Sequence, residues 1–316
     1  MSQEMTRKFE PPWWLSNRHV QSCVSPIFHP PARVVVRWEQ LELPDGDFID
    51  LCWAGENHLP LVVLLHGLEG SVHSHYIQLM LDALTTAGWQ AVVMHFRTCS
   101  GRLNRLPRAY HAGETQDLHY LMQTIVTRFP DLPMSAVGFS LGGNVLLHYL
   151  VQHPKAPLCR AIAVSVPFDL NRCSDYLAQF YHWMMLHTMK NKTMAKIKAG
   201  YKMPVDLQEL NTINDFRHFD DKVTAPLHGF SGADEYYEAV TIRHLLNKIE
   251  HPTLIIHALD DPLVPSECVP HEKELSKKIV LDLSEKGGHV GFVQGLPWQP
   301  QSWLKQRILD FLQKSV

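Results

Sequence analysis

The chain has 316 residues, 45% of them hydrophobic, enough to bury one large α/β core. With 29 Lys and Arg against 32 Asp and Glu, its net charge of -3 excludes the basic footprint of a nucleic-acid binder. The six cysteines lack C-x-x-C pairing and metal-ligand spacing and read as reduced thiols of a cytoplasmic protein, and no apolar stretch at the N-terminus has the length of a signal peptide or membrane span.

An irregular arm comes first, in which Trp13 and Trp14 suit either a membrane interface or packing on the domain. A hairpin is predicted from Val34 to Leu43 and Phe48 to Trp53, around the Asp45, Gly46 turn. Strands and helices then alternate: strand Leu61 to Leu65, helix Tyr76 to Ala87, strand Ala91 to His95, helix Thr115 to Phe129, strand Ser135 to Phe139, helix Leu141 to Gln152, strand Arg160 to Val166. Such alternation predicts an α/β fold with a mostly parallel sheet flanked by helices. From about Leu170 to Ile249 it gives way to a helical, methionine-rich stretch. Strands at Leu254 and from Ile279 to Leu283 then resume the pattern.

The chemistry-bearing residues lie just past the ends of these strands, where open α/β sheets place their ligands. Ser140 sits in Gly138, Phe139, Ser140, Leu141, Gly142, a nucleophile-elbow pattern in which small flanking residues permit an abrupt strand-to-helix turn. Asp261 follows the strand around Leu254, and His289 lies in Gly287, Gly288, His289, Val290, Gly291, so the order is nucleophile, acid, histidine. Asp260 and Asp169 compete for the acid role; the Asp261, Pro262, Leu263, Val264, Pro265 spacing favours Asp261. The strand from Leu61 ends in His66, Gly67, Leu68, Glu69, Gly70, a turn suited to supply an oxyanion donor from Leu68, with Leu141 supplying the other.

Other groups carry two readings each. Arg97, Arg102, Arg105 and Arg108 suit either an anionic substrate group or partners for carboxylates such as Glu114 and Asp117. Glu69 suits either tuning of the site or capping of the next helix, and His66 reads as structural. In the helical stretch Leu177, Phe180, Tyr181, Met184 and Met185 share a face that suits either an acyl pocket or plain packing. No histidine shows metal spacing, and the chemistry requires no metal or cofactor.

Longer segments extend the pattern: Asn17, Arg18, His19, Val20, Gln21; Leu41 to Asp47; His95, Phe96, Arg97 with Cys99, Ser100, Gly101; Tyr110 to Thr115; Phe219, Asp220, Asp221; and Tyr236, Tyr237. With the three strand-end motifs, they make the chain similar to the bacterial YheT-like hydrolases of the α/β-hydrolase superfamily, relatives of eukaryotic abhydrolase-domain lipases. One departure is Thr98, which stands where the family pattern has glycine. The resemblance implies an α/β-hydrolase core from residues 1–169 and 251–316, with 170–250 inserted as a helical cap. It also implies esterase or lipase-like activity on a small ester or lipid-like substrate, with thioesterase or acyltransferase chemistry as variants. A non-catalytic binding protein on the same fold is the reading from another class.

Overall fold

The computed structural model describes residues 9–28, 34–57, 59–176 and 179–313, the side chains of 24–28 and 179–180 excepted. Runs of valine, leucine and isoleucine form strands buried on both faces, as parallel sheets require. In chain order the elements are α1 (Arg18–Phe28), β1 (Arg37–Glu42), β2 (Phe48–Ala54), β3 (Leu61–Leu65), α2 (His75–Thr86), β4 (Gln90–Met94), α3 (Gln116–Arg128), β5 (Met134–Phe139), α4 (Leu141–Gln152) and β6 (Arg160–Val164). Helices alone follow: α5 (Leu170–Tyr176), α6 (Gln179–Lys198), α7 (Leu207–Thr212), α8 (Phe216–Phe219), a π-helical turn (Asp220–Thr224), α9 (Ala225–Leu227), α10 (Ala233–Val240) and a 3-10 turn (Arg243–Lys248). The chain closes with β7 (Thr253–Ala258), β8 (Ile279–Ser284), β9 (Val293–Leu296), β10 (Gln299–Ser302) and α11 (Trp303–Gln313).

The main sheet has eight strands in the order β1-β2-β4-β3-β5-β6-β7-β8. β1 and β2 pair antiparallel, β2 joins β4 antiparallel, and every later pairing is parallel. One face packs on α3, α4 and α10, and the other on α2 and α11. This arrangement aims the C-terminal ends of β3, β5, β7 and β8 toward one edge of the domain, which is where the candidate residues lie.

The structure adds the β9–β10 hairpin to the sequence reading, starts β1 at Arg37 rather than Val34, and differs from it again in α1 and β6. The N-terminal arm contains a helix, α1, although its sequence RHVQSCVSPIF is rich in β-branched residues and serine and includes Pro26. Intrinsic propensity opposes that helix, so contacts with the rest of the fold must impose it. β6 ends at Val164 rather than Val166 because Ser165 turns to φ 52°, while the Val164 carbonyl accepts the Ser140 amide at 2.8 Å. The two tryptophans of the arm diverge. Trp14 packs beside Leu15 and Val293 and donates to the Gly295 carbonyl at 3.0 Å, whereas Trp13 is 83% exposed.

Candidate active site

Ser140 begins α4 with φ 52° and ψ -120°, a left-handed backbone that costs on the order of 1–3 kcal/mol for a residue with a side chain. The flanking glycines make this turn possible. A Cβ at Gly138 would press on the Gly142 carbonyl, and one at Gly142 would lie 2.5 Å from the His66 carbonyl and 2.6 Å from that of Leu65. The motif's composition is therefore set by backbone-to-backbone approach between β3, β5 and α4. The Leu141 amide belongs to the first turn of α4, where amides have no acceptor within the helix.

Leu68 lies on the turn after β3. Ser140, Leu141, Leu68 and His289 all line one cavity of about 150 Å³. His66 is fully buried and structural: its Nδ1 lies 2.7 Å from the Gly67 carbonyl and its Nε2 accepts the Phe96 amide at 3.2 Å. Burial pushes this imidazole down to about 3, so it stays neutral. Glu69 caps no helix. Its φ is 58°, its amide donates to the Tyr110 hydroxyl at 2.8 Å, and its carboxylate takes Tyr110 and, at 2.8 Å, Lys192 of α6. Thr98, the departure from the family pattern, adopts φ 71°, the conformation that glycine takes without strain.

The three candidate acids separate cleanly. Asp261 is fully buried; its Oδ2 lies 2.8 Å from His289 Nδ1, and its Oδ1 accepts the Leu263 amide at 2.8 Å. Burial opposes ionisation of this carboxyl, but the His289 ring, His257 and the Leu263 amide outweigh it and hold the group below the usual aspartate value. Asp260 instead accepts the Gly288 amide at 2.9 Å, and Asp169 accepts the Arg172 amide at 3.2 Å and pairs with its guanidinium. No hydrogen bond among the described residues joins Ser140 to His289, although both open onto the same cavity. Such contacts often tighten only with substrate in place.

The cavity walls are mainly apolar and come largely from the helices between β6 and β7. Met185, Met189, Lys192, Thr193 and Lys196 face it from α6, at the i, i+4, i+7, i+8, i+11 spacing of one helical stripe. Among the described residues of the expected acyl face, only Met185 lines the cavity. Met184 lies one residue, about 100°, round the helix and is exposed; Tyr181 is buried with its hydroxyl near His19 and Cys23 of α1; Leu177 and the Phe180 side chain lie outside the described residues.

The arginine cluster is committed to carboxylates. Arg97 forks across Asp117 at 2.6 and 2.7 Å and reaches Asp45 and Asp47 at 2.8 and 3.0 Å, while Arg102 pairs with Asp50, Arg105 with Glu42, and Arg108 with Glu114. His111, Glu114 and His228 bring their ligand atoms within 4.8 Å of one another, a grouping the sequence spacing did not reveal. Two features argue against a metal there. Arg108 already neutralises Glu114, and the Gly113 amide donates to His111 Nδ1 at 3.1 Å, which in the neutral ring leaves the proton on Nε2.

A sheet of this topology, with a serine elbow after β5 and an Asp-His pair after β7 and β8, defines an α/β hydrolase, and the family model for the alpha/beta hydrolase fold matches residues 60–296. The chain belongs to that family. Within it, the chain is 40% identical to the esterase candidate YheT of Escherichia coli, over 96% of this chain and 93% of the relative. It is 28% identical to phospholipase ABHD3 of Mus musculus, over 99% of this chain and 80% of the relative. The fold also matches a solved esterase of Pyrococcus furiosus, Pf2001, with TM-score 0.60, 17% identity and 97% of each chain covered. These relatives make the protein a hydrolase of this fold. No helix among the described residues is long and apolar enough to cross a membrane.

Proposed function

We propose that this hydrolase cleaves carboxylic esters of short or medium acyl chains through an acyl-enzyme on Ser140. The observation that carries the reading is the Asp261–His289 pair, at 2.8 Å, opening onto the same cavity as a serine held at φ 52°. A serine hydroxyl is a weak nucleophile at neutral pH, so His289 takes its proton as Ser140 attacks the acyl carbon, and Asp261 holds the imidazole tautomer and stabilises its cation. The Leu68 and Leu141 amides take the oxyanion, each worth on the order of 10²–10³ in rate. His289 then returns the proton to the leaving alcohol, and water repeats the cycle on the acyl-enzyme. No metal or organic cofactor enters this sequence.

The helices between β6 and β7 act as a cap over the acyl group, whose apolar wall they form. The mainly apolar wall of this cavity suits an acyl group. The relative named as a phospholipase supports a lipid-like ester. The test is intact-mass analysis after a small fluorophosphonate, alongside turnover of an ester series, for wild type and Ser140→Ala. A single adduct on wild type only, with turnover reduced at least about 10⁴-fold in the variant, is expected. Equal labelling or turnover in both would overturn the mechanism, and a folded wild type that neither labels nor turns over any ester would point to a binding protein.

A further inference from the structure

α1 precedes the residues matched by the family model and supplies none of the reacting groups, yet it touches the loop that carries His289 at both ends. Asn17 starts the helix, its Oδ1 accepting the His19 and Val20 amides at 2.9 and 3.2 Å. Gln21, with no exposed surface, donates from Nε2 to the Leu15 and Val293 carbonyls, both at 3.0 Å, and accepts the Val293 amide on Oε1 at 2.9 Å. It thus pairs with Val293 as a neighbouring strand would. Ser22 Oγ donates to the Arg18 carbonyl and accepts the His289 amide, each at 2.8 Å.

The loop that carries these two anchors is strained. Gly288, Val290 and Phe292 have φ of 62°, 56° and 48°, and at a β-branched or bulky residue such values are true outliers. Each non-glycine position costs on the order of 1–3 kcal/mol and persists only where its surroundings over-determine it. The core supplies part of that support, through Ser165 Oγ on the Val290 amide at 3.0 Å and Asp260 on the Gly288 amide. α1 supplies the rest by close approach: a Cβ at Gly288 would lie 2.6 Å from the Arg18 carbonyl and from Ser22 Oγ, and one at Gly291 would run into the Gln21 carbonyl. The same helix reaches the cap, where Arg18 donates to the Tyr176 hydroxyl at 2.9 Å and the Tyr181 hydroxyl lies near Cys23 and His19.

We infer that α1 is a clamp that sets the place of the His289 imidazole, with Gln21 and Ser22 as positioning residues, an inference that rests on His289 being the base for Ser140. Misplacing a base by about 1 Å costs up to roughly 10²-fold in rate without weakening substrate binding. Ser22→Ala and Gln21→Met are therefore expected to lower kcat by about 10- to 10²-fold with KM unchanged, to slow fluorophosphonate labelling in parallel, and Ser22→Thr, which keeps the hydroxyl, to restore both. Full kcat in folded Ser22→Ala and Gln21→Met, or a rise in KM alone, overturns the clamp.

Hydrogen exchange on the wild-type protein decides the question if either variant fails to fold. Residues 17–23 and 287–293 are expected to open with one shared rate, and separate opening overturns the clamp. Wild-type labelling keeps the two readings apart. A wild type that does not label counts against the serine mechanism, whereas a wild type and variants that label at one rate count against the clamp alone.

Discussion

Ser140 and His289 reach the same cavity from strained backbones, but the two strains are held by different parts of the chain. The elbow lies after β5 in the middle of the sheet, where the Val164 carbonyl holds the Ser140 amide and the glycines abut the backbone of β3. The histidine loop follows β8, the edge strand of the sheet, with no further strand of that sheet beyond it among the described residues. Beyond Ser165 and Asp260 its brace is α1, and the Ser22–His289 contact joins residues 267 positions apart. Strain at the sheet centre is thus secured by the fold itself, whereas strain at the edge needs a helix recruited from elsewhere.

The sharpest way to break this comparison is to add one methyl to each region. Gly142→Ala puts a Cβ 2.5 Å from the His66 carbonyl and 2.6 Å from that of Leu65, backbone atoms in the central sheet that cannot retreat. A loss of at least about 3 kcal/mol is expected from urea unfolding, because overpacking and a disturbed special backbone act together. An unchanged midpoint would mean that the elbow is not locked by the sheet.

This difference also explains what could be read in advance. The elbow is local: Gly138, Ser140 and Gly142 sit within five residues, so the sterics that demand glycine leave a compact signature. Asp261 and His289 are legible as residues because each follows a recognisable strand, and the Asp261 to Pro265 spacing favours Asp261 over Asp169 and Asp260, but the contact with the imidazole itself depends on how loops from β6, β7 and β8 converge. The arm holding α1 reads as irregular in the sequence, because the buried polar network of Gln21 that offsets its β-branched residues and Pro26 is made with residues near 293. The Asn17 to Gln21 motif was visible without its reason. The face shared by Tyr181, Met184 and Met185 left acyl pocket and plain packing open, and the contacts divide it: Met185 lines the cavity while Tyr181 packs beside α1.

Gly291→Ala is the counterpart at the edge. Its Cβ would push on the Gln21 carbonyl of a helix outside the sheet and, at 2.7 Å, on the Gly287 carbonyl of its own loop, neither of them braced within the central sheet. The expected stability loss is smaller, about 1–2 kcal/mol. Turnover should nonetheless fall with the Ser22→Ala pattern, in kcat rather than KM. Comparing urea midpoints with kcat across Gly142→Ala and Gly291→Ala places the two regions on one scale. Equal stability losses would erase the distinction between centre and edge.

A third store of cost is electrostatic, and its effect is the smallest. Asp220 begins the π-helical turn between β6 and β7 and is buried at the cavity wall, accepting Thr224 Oγ1 at 2.6 Å and the Tyr237 hydroxyl at 2.8 Å. Burial pushes its carboxyl from 3.8 up to about 6 despite those hydrogen bonds and nearby Arg217. Between those two values the folded chain binds the proton that the unfolded chain releases, so this group's contribution to stability falls as pH rises from 4 to 6 and is fully lost above that window. From pH 5 to pH 7 the loss amounts to about 1 kcal/mol. Asp220→Asn removes it, so wild type minus variant should show that slope in urea unfolding against pH, while the backbone-strained glycine variants should track wild type. A flat difference would show that the Asp220 charge is solvated, leaving backbone strain as the cost that distinguishes the two regions.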